Sequence, residues 1–473
     1  MDQEIRETKP TIKRESDKMG TAPIGRLLAS MAWPAILSMT IAALYNIVDS
    51  IFVARIGQDA LTAVSFVMPA QMLMISVTVG SGVGVNSLIA RRLGAKRNEE
   101  ADLAASISIR IGLFNYLIFL LAGTFLTVPF MRHFTDDPTI FEYGCTYMRL
   151  VLSVSLFASV EVILEKVMQS TGNMLGPMIC SLSGALVNVV MDPVLIFGLL
   201  GAPKMGVAGA AIATVFGQFV SLCIAAYIIR TREHAVKIRL RGYRMDWGVV
   251  KDIYAVSLPS IVMQAIGSFM MIGLNTILAA ETTAVAVLGV YQKLQSFVFM
   301  PVFGLNQGSM PIMGYNYGAR DRKRLMHTYK LCLGVAFTIM SIGCILFHLI
   351  PDLFLRIFDA DENMLAVGIP AFRTISWCFL PAAFGIITST LYQSTGHGVY
   401  SLFSSLIRQL IGILPLAFIL YRMGGVAACW WAFPLAEILG CTYLVIMLRH
   451  LYRTDIKPLD DPLPEEGEEV IGA

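Results

Sequence analysis

Three polar side chains in two apolar segments of the chain have the chemistry to bind a cation together. Asp49 lies near the end of the first segment, and Asn188 and Asp192 lie four residues apart in the fifth. Residues four apart share one face of a helix, so Asn188 stands beside Asp192, as Tyr45 does beside Asp49. Two carboxylates, an amide oxygen and a hydroxyl can hold a proton or a hard cation such as Na⁺. We therefore predict a cation site at these four residues.

The depth of both carboxylates supports this prediction. At about 1.5 Å per residue, Asp49 lies about 33 Å along its segment and Asp192 about 24 Å along its own, so they can meet in the outer half of a membrane. Thr214 in the sixth segment is a further candidate ligand. The structural alternatives are that Asp49 caps a helix end and that Asp192, before Pro193, marks a kink.

The composition requires that these segments cross a membrane. Of 473 residues, 56% are hydrophobic and 15% are charged, whereas soluble proteins have about 25% charged residues. A spanning helix needs about 20 apolar residues, and the alternation that a β-barrel would need is absent. We predict an all-α membrane protein with twelve spanning helices, at about 27–53, 60–90, 103–130, 141–165, 174–201, 205–229, 253–280, 283–317, 329–350, 364–391, 399–421 and 424–448.

The distribution of lysine and arginine predicts the orientation. Of 36 such residues, 26 fall in the tails and connections on one side of the twelve spans, and five fall on the other. The positive side faces the cytoplasm, so both termini are predicted to be cytoplasmic and the protein to lie in the inner membrane. The predicted organisation is an N-tail, a first lobe, a basic linker, a second lobe and a C-tail, at 1–25, 26–230, 231–252, 253–450 and 451–473.

The chain also contains an internal duplication. The tetrapeptide at 169–172 recurs at 393–396, an offset of 224, and the same offset maps Gly84 onto Gly308. Six helices form each half, so the halves enter the membrane in the same direction. Transporters built from such parallel repeats bind substrate between the halves and expose the site to each side in turn. We predict two six-helix repeats around a central cleft.

The acidic residues of the predicted cation site occur in one repeat only. The offset maps Asn188 onto Gly412 and Asp192 onto Leu416. A feature that is present once is more often specialised than architectural, so the cation site is assigned to the first half.

Other polar residues of the spans are weaker candidates. Asn275, Gln264 and Glu437 could line a substrate cavity in the second half. Glu161 and Glu165, beside Lys166, are interpreted as members of an ion pair near the membrane interface, with a functional role as the alternative.

Four stretches resemble a known family. They are MAWPAILSMTIAALYNIVDSIFVARIG in the first span, ARRLGAKRNEEA after the second, MQSTGN at the end of the fourth and ALVNVVMDPVLIFG in the fifth. In this order they resemble the multidrug and toxic compound extrusion (MATE) family, in its prokaryotic branch with an acidic site in the N-terminal half. The resemblance implies a coupling site at Asp49, Asn188 and Asp192. It also implies export of amphipathic, cationic organic compounds in exchange for H⁺ or Na⁺.

The sequence also limits other functions. It contains no GxxxxGK[ST] motif, so we expect no nucleotide-driven pump. It also contains no HExxH motif and no arguable Ser/His/Asp arrangement, so we expect no enzyme. No cofactor beyond the coupling ion is expected, and the expected partners are small organic substrates and the bilayer, without nucleic acid, for a monomeric protein. The main alternative is a flippase for lipid-linked precursors, which would need a cationic cavity for phosphate groups. A receptor or channel would be a third class, disfavoured because no soluble sensing domain is present.

Overall fold

The computed structural model describes residues 15–231, 236–239, 243–358 and 360–460. Within these ranges there are no strands, and eleven helices are long and apolar enough to cross a membrane. The label α4 is kept for a two-piece helix described below. In chain order the eleven helices are α1 (Ile24–Ala54), α2 (Gln58–Gly94), α3 (Asn98–Phe134), α5 (Leu175–Phe197), α6 (Val207–Thr231), α7 (Trp247–Leu278), α8 (Thr282–Gly318), α9 (Arg322–Leu349), α10 (Glu362–Thr395), α11 (Gly398–Cys429) and α12 (Ala432–Asp460).

The one predicted span that is not among these eleven, the fourth in chain order, is a broken helix. It corresponds to α4, which consists of Pro138–Ser153 and Leu156–Ser170. Because neither piece reaches the length of a full span, α4 is not among the eleven, yet together they account for the predicted segment 141–165. The fourth helix of the second half, α10, has a 3₁₀ turn at Ser376–Cys378 at the matching place. The twelve-helix prediction is therefore consistent with the structure.

The boundaries differ from the predicted ones at a few places. The helices extend beyond the apolar stretches; α3, for example, covers Asn98–Phe134, against a predicted 103–130. The predicted gap between 421 and 424 is a kink inside α11, where Gly425 has φ +66°. Residues 1–14 and 461–473 of the predicted tails, and 232–235 and 240–242 of the linker, lie outside the described residues, and the division into lobes stays a prediction.

The duplication extends to the helix ends. Adding 224 to the bounds of α2 gives those of α8, and the start of α3 likewise gives the start of α9. For brevity, α1–α6 are called the N-lobe and α7–α12 the C-lobe.

Small residues allow the two lobes to approach closely at two crossings related by the duplication. A Cβ atom added to Gly80 of α2 would lie 2.7 Å from the backbone nitrogen of Ile261 on α7. One added to Gly304 of α8 would lie 2.6 Å from the Cα of Ile36 on α1. Glycine at such positions lets helix backbones come together in a membrane, where packing is the main attraction.

The lobes are joined on one side of the bundle. We call this side the terminal face, because α1 begins there and both ends of the described chain pack there: Asp17 forms an ion pair with Lys96, and Asp460 with Arg322. One continuous hydrophobic core connects helices of both lobes. A second, separate core belongs to the N-lobe alone and includes Val53, Val67, Met148, Ile196 and Val207. Away from the terminal face, the N-lobe therefore shares no hydrophobic core with the C-lobe. In that half of the bundle a cleft separates the two lobes.

The crossing of α8 with α1 gives a prediction on stability. Replacing Gly304 by leucine forces the two backbones apart, and we expect a loss of about 1–3 kcal/mol, as for other overpacked sites. Thermal unfolding of the purified protein in detergent measures the change. The control is Gly289→Leu on the same helix, where an added Cβ meets nothing within 4 Å. Equal melting temperatures for the two variants would contradict the close crossing.

Candidate cation site between α1 and α5

The predicted carboxylates lie together inside the N-lobe. Asp192 is fully buried and Asn188 is 3% exposed on α5, which packs against both α1 and α6. Asp49 on α1 is half-buried, and its carboxyl group is within hydrogen-bonding range of the Asp192 carboxyl group. The fixed rise of a helix brought both residues to the same depth, and the α1–α5 contact brings them together laterally.

The oxygen atoms of this site have no donors. Both Asp192 oxygens, Asp49 Oδ1 and Asn188 Oδ1 are buried, and none has a hydrogen-bond partner. A buried polar atom without a partner costs about 1–3 kcal/mol, and more when it is charged. Four converging acceptors without a donor are satisfied by a proton shared between the carboxyl groups or by a cation that the oxygens coordinate.

Thr214 orients the amide group of Asn188. The Asn188 Nδ2 donates to Thr214 Oγ1 over 3.4 Å, while the Thr214 hydroxyl donates to the Ala210 carbonyl oxygen over 3.1 Å. The threonine hydrogen is therefore used, and its oxygen accepts from the amide. This arrangement leaves Asn188 Oδ1 as an acceptor among the carboxylates. Thr214 lies beside the site, as predicted, but acts on Asn188.

Two tyrosines line the site, of which the sequence analysis identified one. Tyr45 lies in the electrostatic field of both carboxylates. Tyr147 of α4 lies in the same field and is 2% exposed. No pattern in the sequence singles out Tyr147, because its proximity arises from the packing of α4 against α2 and α6.

The donor set is poor in strong metal ligands. Among the residues that the structure describes, no three His, Cys, Asp or Glu side chains converge. The site offers two carboxylates with a neutral amide oxygen and phenol groups. This set suits a proton or a monovalent cation that enters and leaves.

Glu161 and Glu165 form no direct ion pair with Lys166, against the prediction, although Glu165 and Lys166 attract each other electrostatically. Glu161 accepts from the hydroxyl of Ser221 over 2.7 Å, and Glu165 from that of Ser181 over 3.1 Å. Within the described residues, no carboxylate lies within 4.0 Å of the Lys166 ammonium. The reason is geometric: consecutive helix residues point about 100° apart, so Lys166 leaves the face that carries the glutamates.

The candidate cavity residues of the C-lobe occupy different environments. Asn275 and Gln264 are exposed, and Gln264 Nε2 donates to the Ser76 carbonyl oxygen of the N-lobe over 3.5 Å. Glu437 is 5% exposed and forms an ion pair with Arg408 over 2.8 Å. Arg408 lies in a π-helical stretch of α11, Leu406–Ile413. Glu437 is therefore a neutralised group inside the C-lobe.

Comparison with known proteins gives consistent matches. The MatE family model matches residues 34–194 and 259–419, more than half of the chain in two copies. The FAD transporter of Shewanella oneidensis is 26% identical over 90% of this chain and 95% of its own length. The multidrug export protein MepA of Staphylococcus saprophyticus is 22% identical over 89% of this chain and 92% of its own.

The structure has solved neighbours of the same size. One, described as the outward-facing conformation of a multidrug resistance MATE family transporter of the MOP superfamily, superposes with a TM-score of 0.87 at 25% identity. The match covers 94% of this chain and all of that one.

The facing carboxylates predict an unusual stability effect. We expect Asp192→Asn to raise the melting temperature in sodium-free buffer at high pH, by the equivalent of about 1–3 kcal/mol, because it removes a repulsive charge and adds a donor. The gain should shrink at low pH or with added Na⁺, since both neutralise the wild-type pair. Differential scanning fluorimetry measures it, with the exposed Asp136→Asn as control. A melting temperature that follows the wild type under all conditions would contradict the repulsion.

The ion pair in the C-lobe gives a second prediction for this region. Glu437→Leu leaves the Arg408 guanidinium without a partner, and we expect a loss of about 3–5 kcal/mol. The double variant Arg408→Met/Glu437→Leu removes both charges and should recover most of it. Thermal unfolding in detergent checks this, and a double variant no more stable than the single one would show that Glu437 does not serve to balance Arg408.

Proposed function

The chain belongs to the MatE family of membrane transporters, and from this we propose that it exports amphipathic organic compounds in exchange for H⁺ or Na⁺ bound at Asp49, Asn188 and Asp192. The observation that carries the proposal is the group of buried acceptor oxygens without donors in the N-lobe. A multi-pass transporter with such a group has a site whose charge depends on the ion that occupies it.

The charge pattern supports an orientation for the transport cycle. The lysine- and arginine-rich connections lie on the terminal face, which we propose is cytoplasmic. The cleft then opens to the outside, and the lobes are closed towards the cytoplasm where α2 and α8 end. There Gly94 abuts the Tyr315 carbonyl group, and Gly318 abuts the Arg91 carbonyl group.

The cycle follows from this arrangement. In the outward-open state the carboxylates take up an ion from outside, which removes their repulsion and favours substrate release. The lobes then separate at the terminal face and close at the other, and the ion leaves to the cytoplasm as a new substrate binds. Ion and substrate must weaken each other's binding by the same factor, because such coupling is reciprocal.

One ion per cycle is sufficient for useful export. A single charge that crosses about 100 mV supplies about 2.3 kcal/mol. At about 1.4 kcal/mol per tenfold, this supports a gradient of roughly 40-fold for a neutral substrate. Protons and Na⁺ use the same carboxylates, so the donor set allows either as the coupling ion.

Two substrate classes remain open. The acidic N-lobe favours cationic compounds, and relatives named multidrug export protein suit that class. The relative named FAD transporter makes anionic amphipathic compounds a second candidate, which the buried ammonium of Lys166 favours.

The proposal predicts that Asp192→Asn reaches the membrane but loses at least tenfold in ethidium export. Asparagine has nearly the same shape but cannot exchange a proton or hold a cation's charge. Proteoliposomes with independently set pH and Na⁺ gradients measure the export and identify the driving ion. Asp136→Asn, outside the site, is the matched control, and unchanged export by Asp192→Asn would refute the site.

A further inference from the structure

Lys166 is a buried lysine with an unusual setting. Its residue exposure is 6%, and its ammonium donates to Gln169 Oε1 over 2.9 Å and to Gln307 Oε1 over 3.0 Å. Its stem passes over Gly82 of α2, where an added Cβ would lie 2.5 Å from Lys166 Cγ. A glycine thus makes room for the side chain to reach Gln307.

The Lys166 ammonium has no carboxylate within ion-pair distance among the described residues, although Glu165 attracts it electrostatically. The neighbouring carboxylates of Glu161 and Glu165 are held by serines of α6 and α5, on the interior side of the N-lobe. The two partners of the ammonium are neutral amide oxygens, which leaves its third hydrogen without a protein acceptor among the described residues. A charged group within a membrane span costs about 2.5–3.5 kcal/mol on insertion scales, so it marks a site of function by default.

The ammonium lies between the lobes at the floor of the cleft. Gln307 belongs to α8 of the C-lobe, between Gly304 and Gly308, which pack on α1. Gln307 Nε2 also contacts the Met39 sulfur of α1 over 3.4 Å. Lys166 therefore bridges the two lobes at the level of the glycine crossings, where the closed terminal half ends.

Of this cluster only Gln169 recurs in the second repeat, as Gln393. The offset of 224 maps Lys166 onto Thr390, Gly82 onto Asn306, and Val83 onto Gln307. The second half folds and packs without a lysine at this place, so the fold itself does not require the charge.

We propose that Lys166 binds the anionic group, a carboxylate or phosphate, of an amphipathic substrate at the floor of the cleft. This inference rests on the proposed export function and defines its substrate class. The third ammonium hydrogen and the displaceable Gln307 amide provide the contact. The cation site between α1 and α5 is separate, since Lys166 faces α8.

The test compares an anionic and a cationic dye in one proteoliposome assay. Export of carboxyfluorescein is divided by export of ethidium. We expect this ratio to fall at least tenfold in Lys166→Gln and to recover in Lys166→Arg. In Gln307→Glu a carboxylate replaces the amide oxygen that lies 3.0 Å from the Lys166 ammonium, and it forms an ion pair with that ammonium. The export ratio should therefore fall in this variant too, although Lys166 is still present. Lys204→Gln, at an exposed lysine, should leave the ratio unchanged.

The outcomes separate the two proposals. Export of ethidium without carboxyfluorescein by the wild type overturns the anion site and leaves the proposed function standing. Export of neither dye overturns both. If Lys166→Gln and Gln307→Glu reduce the export of both dyes equally, Lys166 only ties the lobes together. If they reduce the export of neither dye, Lys166 has no role in transport. Either result overturns the anion site. Gln307→Glu keeps the test decisive if Lys166→Gln fails to fold.

Discussion

The structure depends on a rule of the bilayer: a buried polar atom must find its partner within the protein, because lipid offers none. The N-lobe breaks this rule at the acceptor oxygens of Asp49, Asn188 and Asp192, which converge without a donor. The folded chain tolerates the conflict because the rest of the lobe is well packed. On the proposed function, this deficit is what makes the preferred arrangement of the lobe depend on a proton or cation from solution.

Symmetry and asymmetry have different roles in this molecule. The duplicated features are those of the framework: the bounds of α2 and α8, the glycine crossings, and the breaks in α4 and α10. The charged groups inside the two lobes are not duplicated. The N-lobe holds facing carboxylates between α1 and α5, whereas the C-lobe holds a neutralised pair, Arg408 and Glu437, between α11 and α12. In the proposed cycle, two similar bodies rotate against each other while only one of them responds to an ion.

The sequence predicted what depends on periodicity along one helix. The spans, the repeat and the shared depth of Asp49 and Asp192 follow from apolar length, a fixed offset and a fixed rise. Lateral partners were not predictable. Tyr147 and the Lys166–Gln307 contact join helices far apart in sequence, and the expected direct ion pair of Lys166 with the glutamates does not form. The break in α4 had no signal either, since residues 151–157 contain neither glycine nor proline.

Helix α1 connects the cation site with the junction of the lobes. It carries Asp49 near one end, and through Ile36 and Ala32 it packs against Gly304 and Gly308 of α8. Pro34 lies in that packed stretch and removes one backbone hydrogen bond of the helix. Because backbone atoms of Ile36 and Ala32 lie directly against these glycines, a change of rotamer alone cannot absorb a displacement of α1. A shift of α1 that follows ion binding at Asp49 must therefore move the C-lobe or break the crossing, and either result changes the cleft.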